Sequence, residues 1–250
     1  MSLRIPLICG ILACLLVACS PCTRDIPGPY SFVTRSESLA ISSAYTEMTW
    51  KGKADNIRHG LDPDGIRIDT PDAVSPNPLR GSWWRPGTLS RGMPYKWGGF
   101  DTPRQFAERL TQSVPSGSIP TAAGDMGTAD KQKAGDNAVS RFAAGIDCSG
   151  FISRCWRLDR PYSTRELPKL CNPLSSWEEL QPGDILIIPG QHVLMFIAWD
   201  TKDHSGFTAR EAGPLPVWKC AEHSLNTSYL QSLGYRPMRY RNMVNTSPSI

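Results

Sequence analysis

Eight residues, His192 to Trp199, constrain the fold most. Apolar side chains fill both parities of this run, with Val193, Met195 and Ile197 on one and Leu194, Phe196 and Ala198 on the other. A strand reads this way when both of its faces are covered, so the run is predicted to be a central strand. Asp184 to Ile188 forms a second strand before it, and Pro189-Gly190-Gln191 turns the chain between the two. Phe207 to Ala212 is a third. Tyr235 to Arg241 is a last one, and Pro237, with no N–H for a ladder, assigns it to an edge.

Helical signals precede the strands. Thr102-Pro103-Arg104-Gln105 has a cap, a proline for the first helical position and a glutamine to close a capping box; Phe106, Ala107 and Leu110 give an apolar face. A second helix starts near Asp147, with Phe151, Ile152, Cys155 and Trp156 buried. Ile41, Ala44, Tyr45 and Met48 mark one face of a shorter helix. Helices followed by meandering strands predict an α+β fold with helices packed on a central antiparallel sheet. The 40% apolar content rules out wholesale disorder, and 21 Gly with 22 Pro point to a loop-rich domain rather than a bundle. A net charge of +4, without a Lys/Arg run or an aromatic-basic platform, argues against a nucleic-acid partner.

The N-terminus reads as an address. Arg4 precedes a nearly unbroken apolar run, Ile5 to Val17, too short to span a bilayer, which needs ~20 residues. The run ends in Leu16-Val17-Ala18-Cys19, which resembles a bacterial lipoprotein signal cut before a lipidated cysteine. Residues 1–18 are therefore expected to be a signal peptide. Cys19 would carry the anchor, on the periplasmic side of the cell envelope, with Ser20 compatible with the outer membrane. Simple secretion is the alternative. In that disulfide-permissive space, Cys22, Cys155, Cys171 and Cys220 allow three pairings once Cys19 and Cys148 are set aside. Spacing does not choose among them, and Cys171 with Cys220 is a guess.

Residues 19–36 are expected to be a Pro/Ser/Thr-rich tether, 37–88 an extension packed on the following domain, and 89–250 that domain. Asp62-Pro63-Asp64-Gly65 is a turn; its glycine comes too early for a calcium loop. Residues 113–136 form a long polar loop, read either as a lid or binding loop or as a surface insertion.

The chemistry centres on Gly145-Ile146-Asp147-Cys148-Ser149-Gly150-Phe151. A cysteine in the first turn of a helix meets free N–H groups and the positive end of the dipole, which favour the thiolate and accept an oxyanion. Cys155, seven residues on, reads instead as a buried apolar-face residue. His192 opens a strand directly after a tight turn and is the candidate base for Cys148. His59 sits in an expected linker and His204 at a turn tip. Glu211 shares its strand face with Phe207 and Ala209. A buried acid needs a partner, and His192 is assigned to it, with Arg236, Arg239 or Arg241 as the alternatives. Cys220-Ala221-Glu222-His223 lacks a second ligand pair, so no metal and no cofactor are expected.

Read in order, Gly92-Met93-Pro94-Tyr95-Lys96-Trp97-Gly98-Gly99, Asp147-Cys148-Ser149-Gly150-Phe151, Leu180-Gln181-Pro182-Gly183-Asp184 and His192-Val193 resemble the NlpC-type cell-wall cysteine peptidases, from about residue 90 to 241. The resemblance implies a papain-like fold, with Cys148 as nucleophile at a helix N-terminus and His192 as base. It implies hydrolysis of amide bonds in peptidoglycan stem peptides, for example between D-Glu and a diamino acid; separately, the chain is expected to be a monomer. It gives Asp147 and Ser149 the substrate's free amine and places Tyr95 in the site lining beside the oxyanion. The family's third position is commonly His, where this chain offers Glu211, and the stretch from Gly99 to Gly145 is longer than usual. A thiol amidase acting on another small peptide or N-acyl amine, and an inactive wall-binding lipoprotein, are the competing expectations.

Overall fold

The computed structural model describes residues 32–113, 118–213 and 217–245. The signal segment and the expected lipid site Cys19 lie outside the described residues. The fold is mixed α/β. Six strands build its main sheet: β1 (Cys171–Pro173), β2 (Ile185–Ile188), β3 (His192–Trp199), β4 (Gly206–Gly213), β5 (Lys219–Asn226) and β6 (Arg236–Tyr240). Their order is β5-β4-β3-β2-β6-β1, and every neighbouring pair is antiparallel. Among the described residues five α-helices accompany them: α1 (Arg35–Glu47), α2 (Pro103–Thr111), α3 (Ala129–Ala134), α4 (Cys148–Cys155) and α5 (Thr227–Ser232). Among the described residues no helix is long and apolar enough to cross a membrane.

The two parities of β3 explain the two cores. Val193 and Met195 join Ile185, Ile187 and the helix residues Phe151 and Ile152 in one cluster. Leu194 and Phe196 join Leu186, Phe207, Ala209 and Leu230 in the other. Both faces of the central strand are thus covered, as its composition requires. Helix α1 lies over α4, where the Tyr45 and Phe151 rings meet edge-on at 5.7 Å. At the end of α4, Trp156 stacks on Tyr240 of β6 at 4.8 Å, and its indole N–H donates to the Gly183 carbonyl. Asp184, fully buried, accepts from Arg35 at 3.0 Å and Arg239 at 2.7 Å and so ties the start of α1 to β6.

Several expectations are corrected. Strand β6 is interior, flanked by β2 and β1. Pro237 is tolerated there because β1 pairs only from Met238 onward; beyond that point the Pro237 carbonyl accepts the Leu174 N–H, and its missing N–H falls where β1 has ended. Regular structure reaches into the expected tether: Val33–Thr34 pairs with Met243–Val244, and α1 starts at Arg35 under a Thr34–Glu37 capping box. The buried face of α1 is Ser38, Ser42, Tyr45 and Thr46, whereas Ala44 is exposed. Ser42 is polar because its hydroxyl accepts from Arg210 of β4 at 2.9 Å. The 113–136 stretch is not one loop: Ala122–Ala123 pairs with Ala143–Ala144, and α3 follows. Cys171 and Cys220 sit on opposite edges of the sheet, β1 and β5. Five strand spacings, roughly 24 Å, separate those edges, far beyond disulfide reach. Cys148, Cys155, Cys171 and Cys220 are all free thiols.

Candidate active site

The start of α4 is held by backbone from the Gly92–Gly99 segment. The Lys96 N–H donates to the Ile146 carbonyl, the Ile146 N–H to Pro94, and the Asp147 N–H to Gly99. This cradle is tight enough to demand glycine on both sides. A Cβ on Gly99 would lie 2.6 Å from the Gly145 carbonyl oxygen, and one on Gly150 would lie 2.2 Å from the Gly99 carbonyl oxygen. The glycines of these two motifs therefore fix where the helix begins. Asp147 is the N-cap: its carboxylate accepts the Gly150 N–H at 2.6 Å and the Ser149 hydroxyl at 3.0 Å. Cys148 and Ser149 are the first two helical residues, whose N–H groups have no carbonyl one turn back.

Cys148 is 6% exposed and opens on a cleft of about 740 Å³. Tyr95, Asp147, Ser149 and His192 line the same cleft. His192 begins β3 and lines the cleft with Cys148, near enough for the sulfur to act on its charge. Its Nε2 lies 2.5 Å from Glu211 Oε2, which leaves Nδ1 as the nitrogen for the sulfur. Register supplies this contact. Met195 pairs with Arg210 across β3 and β4, so Glu211, one residue along, has the parity of His192. Gly213 makes room for the carboxylate, since a Cβ there would meet Glu211 Oε2 at 2.9 Å. The other Glu211 oxygen is 3.4 Å from His223 Nε2 on β5. Two of the three arginine alternatives are engaged elsewhere, Arg239 with Asp184 and Arg241 with the Cys171 carbonyl.

The surroundings hold the His192 imidazole charged. Burial opposes charge on His192, but the Cys148 charge and hydrogen bond, followed by Glu211, outweigh it and push its pKa up to about 10. Burial raises the Asp147 carboxyl, against which the Gly150 N–H and Ser149 act. Burial, reinforced by the Cys148 charge, keeps the Tyr95 hydroxyl protonated well above its ordinary range. Burial also pushes up the thiols of Cys155 and Cys220, and that of Cys171 to about 12. Those three thiols lie in the packed core.

All six site residues expected from the sequence converge here, with Glu211 behind His192 rather than in the cleft wall. His59 does not. It is part of the strand His59–Leu61, and its ring sits between Asp69 at 3.3 Å and Asp72 at 2.7 Å. The expected linker is therefore a fixed, charged cluster. Sequence reading missed the aromatic surroundings: Trp218 packs against Tyr95 at 5.0 Å, and the Tyr235 ring stands edge-on to His192 at 6.5 Å. The 113–136 segment supplies Gly127, Gln132 and Lys133 to the cleft wall. No cluster of metal-ligating side chains occurs among the described residues. Comparison with protein-family models, curated proteins and solved structures finds no match.

Proposed function

We propose that this chain is a cysteine peptidase of the NlpC type, with a papain-like arrangement of helix and sheet, that hydrolyses amide bonds in peptidoglycan stem peptides. The observation that carries the chemistry is the His192–Glu211 pair sharing one cleft with Cys148, the first residue of α4. The choice of substrate rests on the four motifs, in order, that resemble that family.

Each group has a defined task. The Cys148 thiolate attacks the carbonyl carbon, and the oxyanion is received by the unpaired N–H groups at the helix start, with the protonated Tyr95 hydroxyl beside them. The His192 imidazolium gives its proton to the amide nitrogen, the C–N bond breaks and the amine leaves. A water then attacks the thioester while His192 takes its proton, and the acid departs with the thiol restored. Glu211 accepts from Nε2 throughout and keeps Nδ1 turned to sulfur. Asp147 and Ser149 stand where the family holds the substrate's free amine. A lipid on Cys19 would keep the enzyme in the cell envelope, against its substrate. The test is digestion of purified sacculi with mass analysis of the products. The native chain should release fragments cut within stem peptides, and Cys148→Ala should release none. Muropeptide hydrolysis by Cys148→Ala would refute the proposal, and cleavage confined to non-wall amides would move it to another thiol amidase.

A further inference from the structure

One cation in the cleft wall has no counterpart. Arg165 lines the cleft beside Gly190, Gln191 and His192. Its loop is tied to the turn before His192, because Thr164 Oγ1 accepts the Gly190 N–H at 3.1 Å. Its side chain lies directly over Gly190, where an added Cβ would come within 3.3 Å of its Nε. Among the described residues the guanidinium has neither a hydrogen-bond nor an ion-pair partner. The nearby acids are engaged. Glu166 is held by Arg160 at 2.8 Å and by the Ser163 N–H at 2.9 Å, and Asp147 caps α4. Asp136, the other acid in the cleft wall, does not pair with Arg165 either.

We infer that Arg165 binds a free carboxylate on the leaving-group side of the substrate. The inference rests on the proposed roles of Cys148 and His192. His192 protonates the departing nitrogen, so the leaving amino acid lies on the His192 side of the sulfur, where Arg165 sits. A guanidinium presents a planar fork of N–H donors that matches a carboxylate with two parallel hydrogen bonds and matches a carboxamide poorly. The substrate class is therefore a peptide in which the residue after the scissile amide, such as a diamino acid, keeps an unblocked carboxyl group. Arg165 is a specificity-determining residue here, and amidation of that carboxyl would lower the rate.

The test uses two synthetic peptides, each with D-Glu joined through its side chain to a diamino acid, one with the diamino acid's carboxyl free and one with it as the carboxamide. Their affinities for the full chain carrying Cys148→Ala are measured by calorimetry, and their cleavage by the native chain is followed as kcat/KM. The carboxylate peptide should bind and be cleaved about tenfold better or more, as one charge-assisted pair allows. Arg165→Met should bring both ratios close to one, and Arg165→Lys should restore part of them. Arg165 is exposed, so thermal melting should find both variants folded. Equal affinities, ratios unmoved by Arg165→Met, or no binding of either peptide would overturn the inference. Cleavage without preference would sink this inference alone. An Arg165-dependent affinity preference without cleavage would sink the peptidase reading and leave the carboxylate site standing.

Discussion

Replacing Glu211 with Gln removes one charge and little volume, so its effect can be worked from the contact it makes. The carboxylate lies 2.5 Å from His192 Nε2, and its side chain is 8% exposed against 14% for His192. Solvent screening at this depth is weak. A hydrogen bond to a charged partner contributes about 1.5–3 kcal/mol. At ~1.4 kcal/mol per factor of ten, its loss from the imidazolium should lower kcat/KM by roughly 10- to 150-fold. The pH dependence gives a second readout. The His192 pKa stands at about 10, first against burial, then through Cys148 and after that Glu211. The alkaline limb of kcat/KM should therefore fall near pH 10 in the native chain. It should move to lower pH in Glu211→Gln without reaching the ordinary histidine value, because the Cys148 contribution remains. The assay is stem-peptide cleavage from pH 6 to about 10.5, with melting curves as a folding control. A kcat/KM within twofold of native, with the alkaline limb unmoved, would refute the reasoning.

Two stability predictions follow from the same neighbourhood. A histidine whose folded pKa is raised stabilises fully below its unfolded value of ~6.5, and that contribution fades as pH climbs through the folded value. Urea midpoints should therefore fall between pH 7 and about 10 more steeply for the native chain than for His192→Gln, and parallel profiles would contradict this. Gly150→Ala would drive a methyl to 2.2 Å from the Gly99 carbonyl oxygen, which is backbone and cannot swing aside. The cost should be about 2–3 kcal/mol in denaturant unfolding, with loss of activity as α4 is pushed off its cradle; an unchanged midpoint would show that the cradle is looser.

The parts legible in the sequence were those where one local pattern decides the structure. Strand β3 declared itself through two apolar parities, α2 through its complete capping box, and α4 through Phe151, Ile152 and Cys155 behind a capping acid. Glu211 was legible because an acid on a buried strand face must find a partner, and register put that partner within reach. Other features escaped because their cause is tertiary. The buried face of α1 is largely Ser and Thr, which hydropathy reads as exposed, and Ser42 is buried because it meets Arg210 from a distant strand. Pro237 was misread because its effect depends on where the neighbouring strand stops. Arg165, Trp218 and Tyr235 reach the Cys148 site from three separate segments, so spacing along the chain carries no trace of their convergence.

The pH profile of Cys148 alkylation by iodoacetamide tests the primed thiolate most directly, with peptide mass mapping and the buried Cys155, Cys171 and Cys220 as internal controls. A sulfur paired with an imidazolium should react readily and with little pH dependence from about 6 to 9. His192→Ala should slow alkylation at neutral pH by about tenfold or more and make it climb with pH. A native profile that already rises through pH 8–9 and is indifferent to His192→Ala would contradict the account.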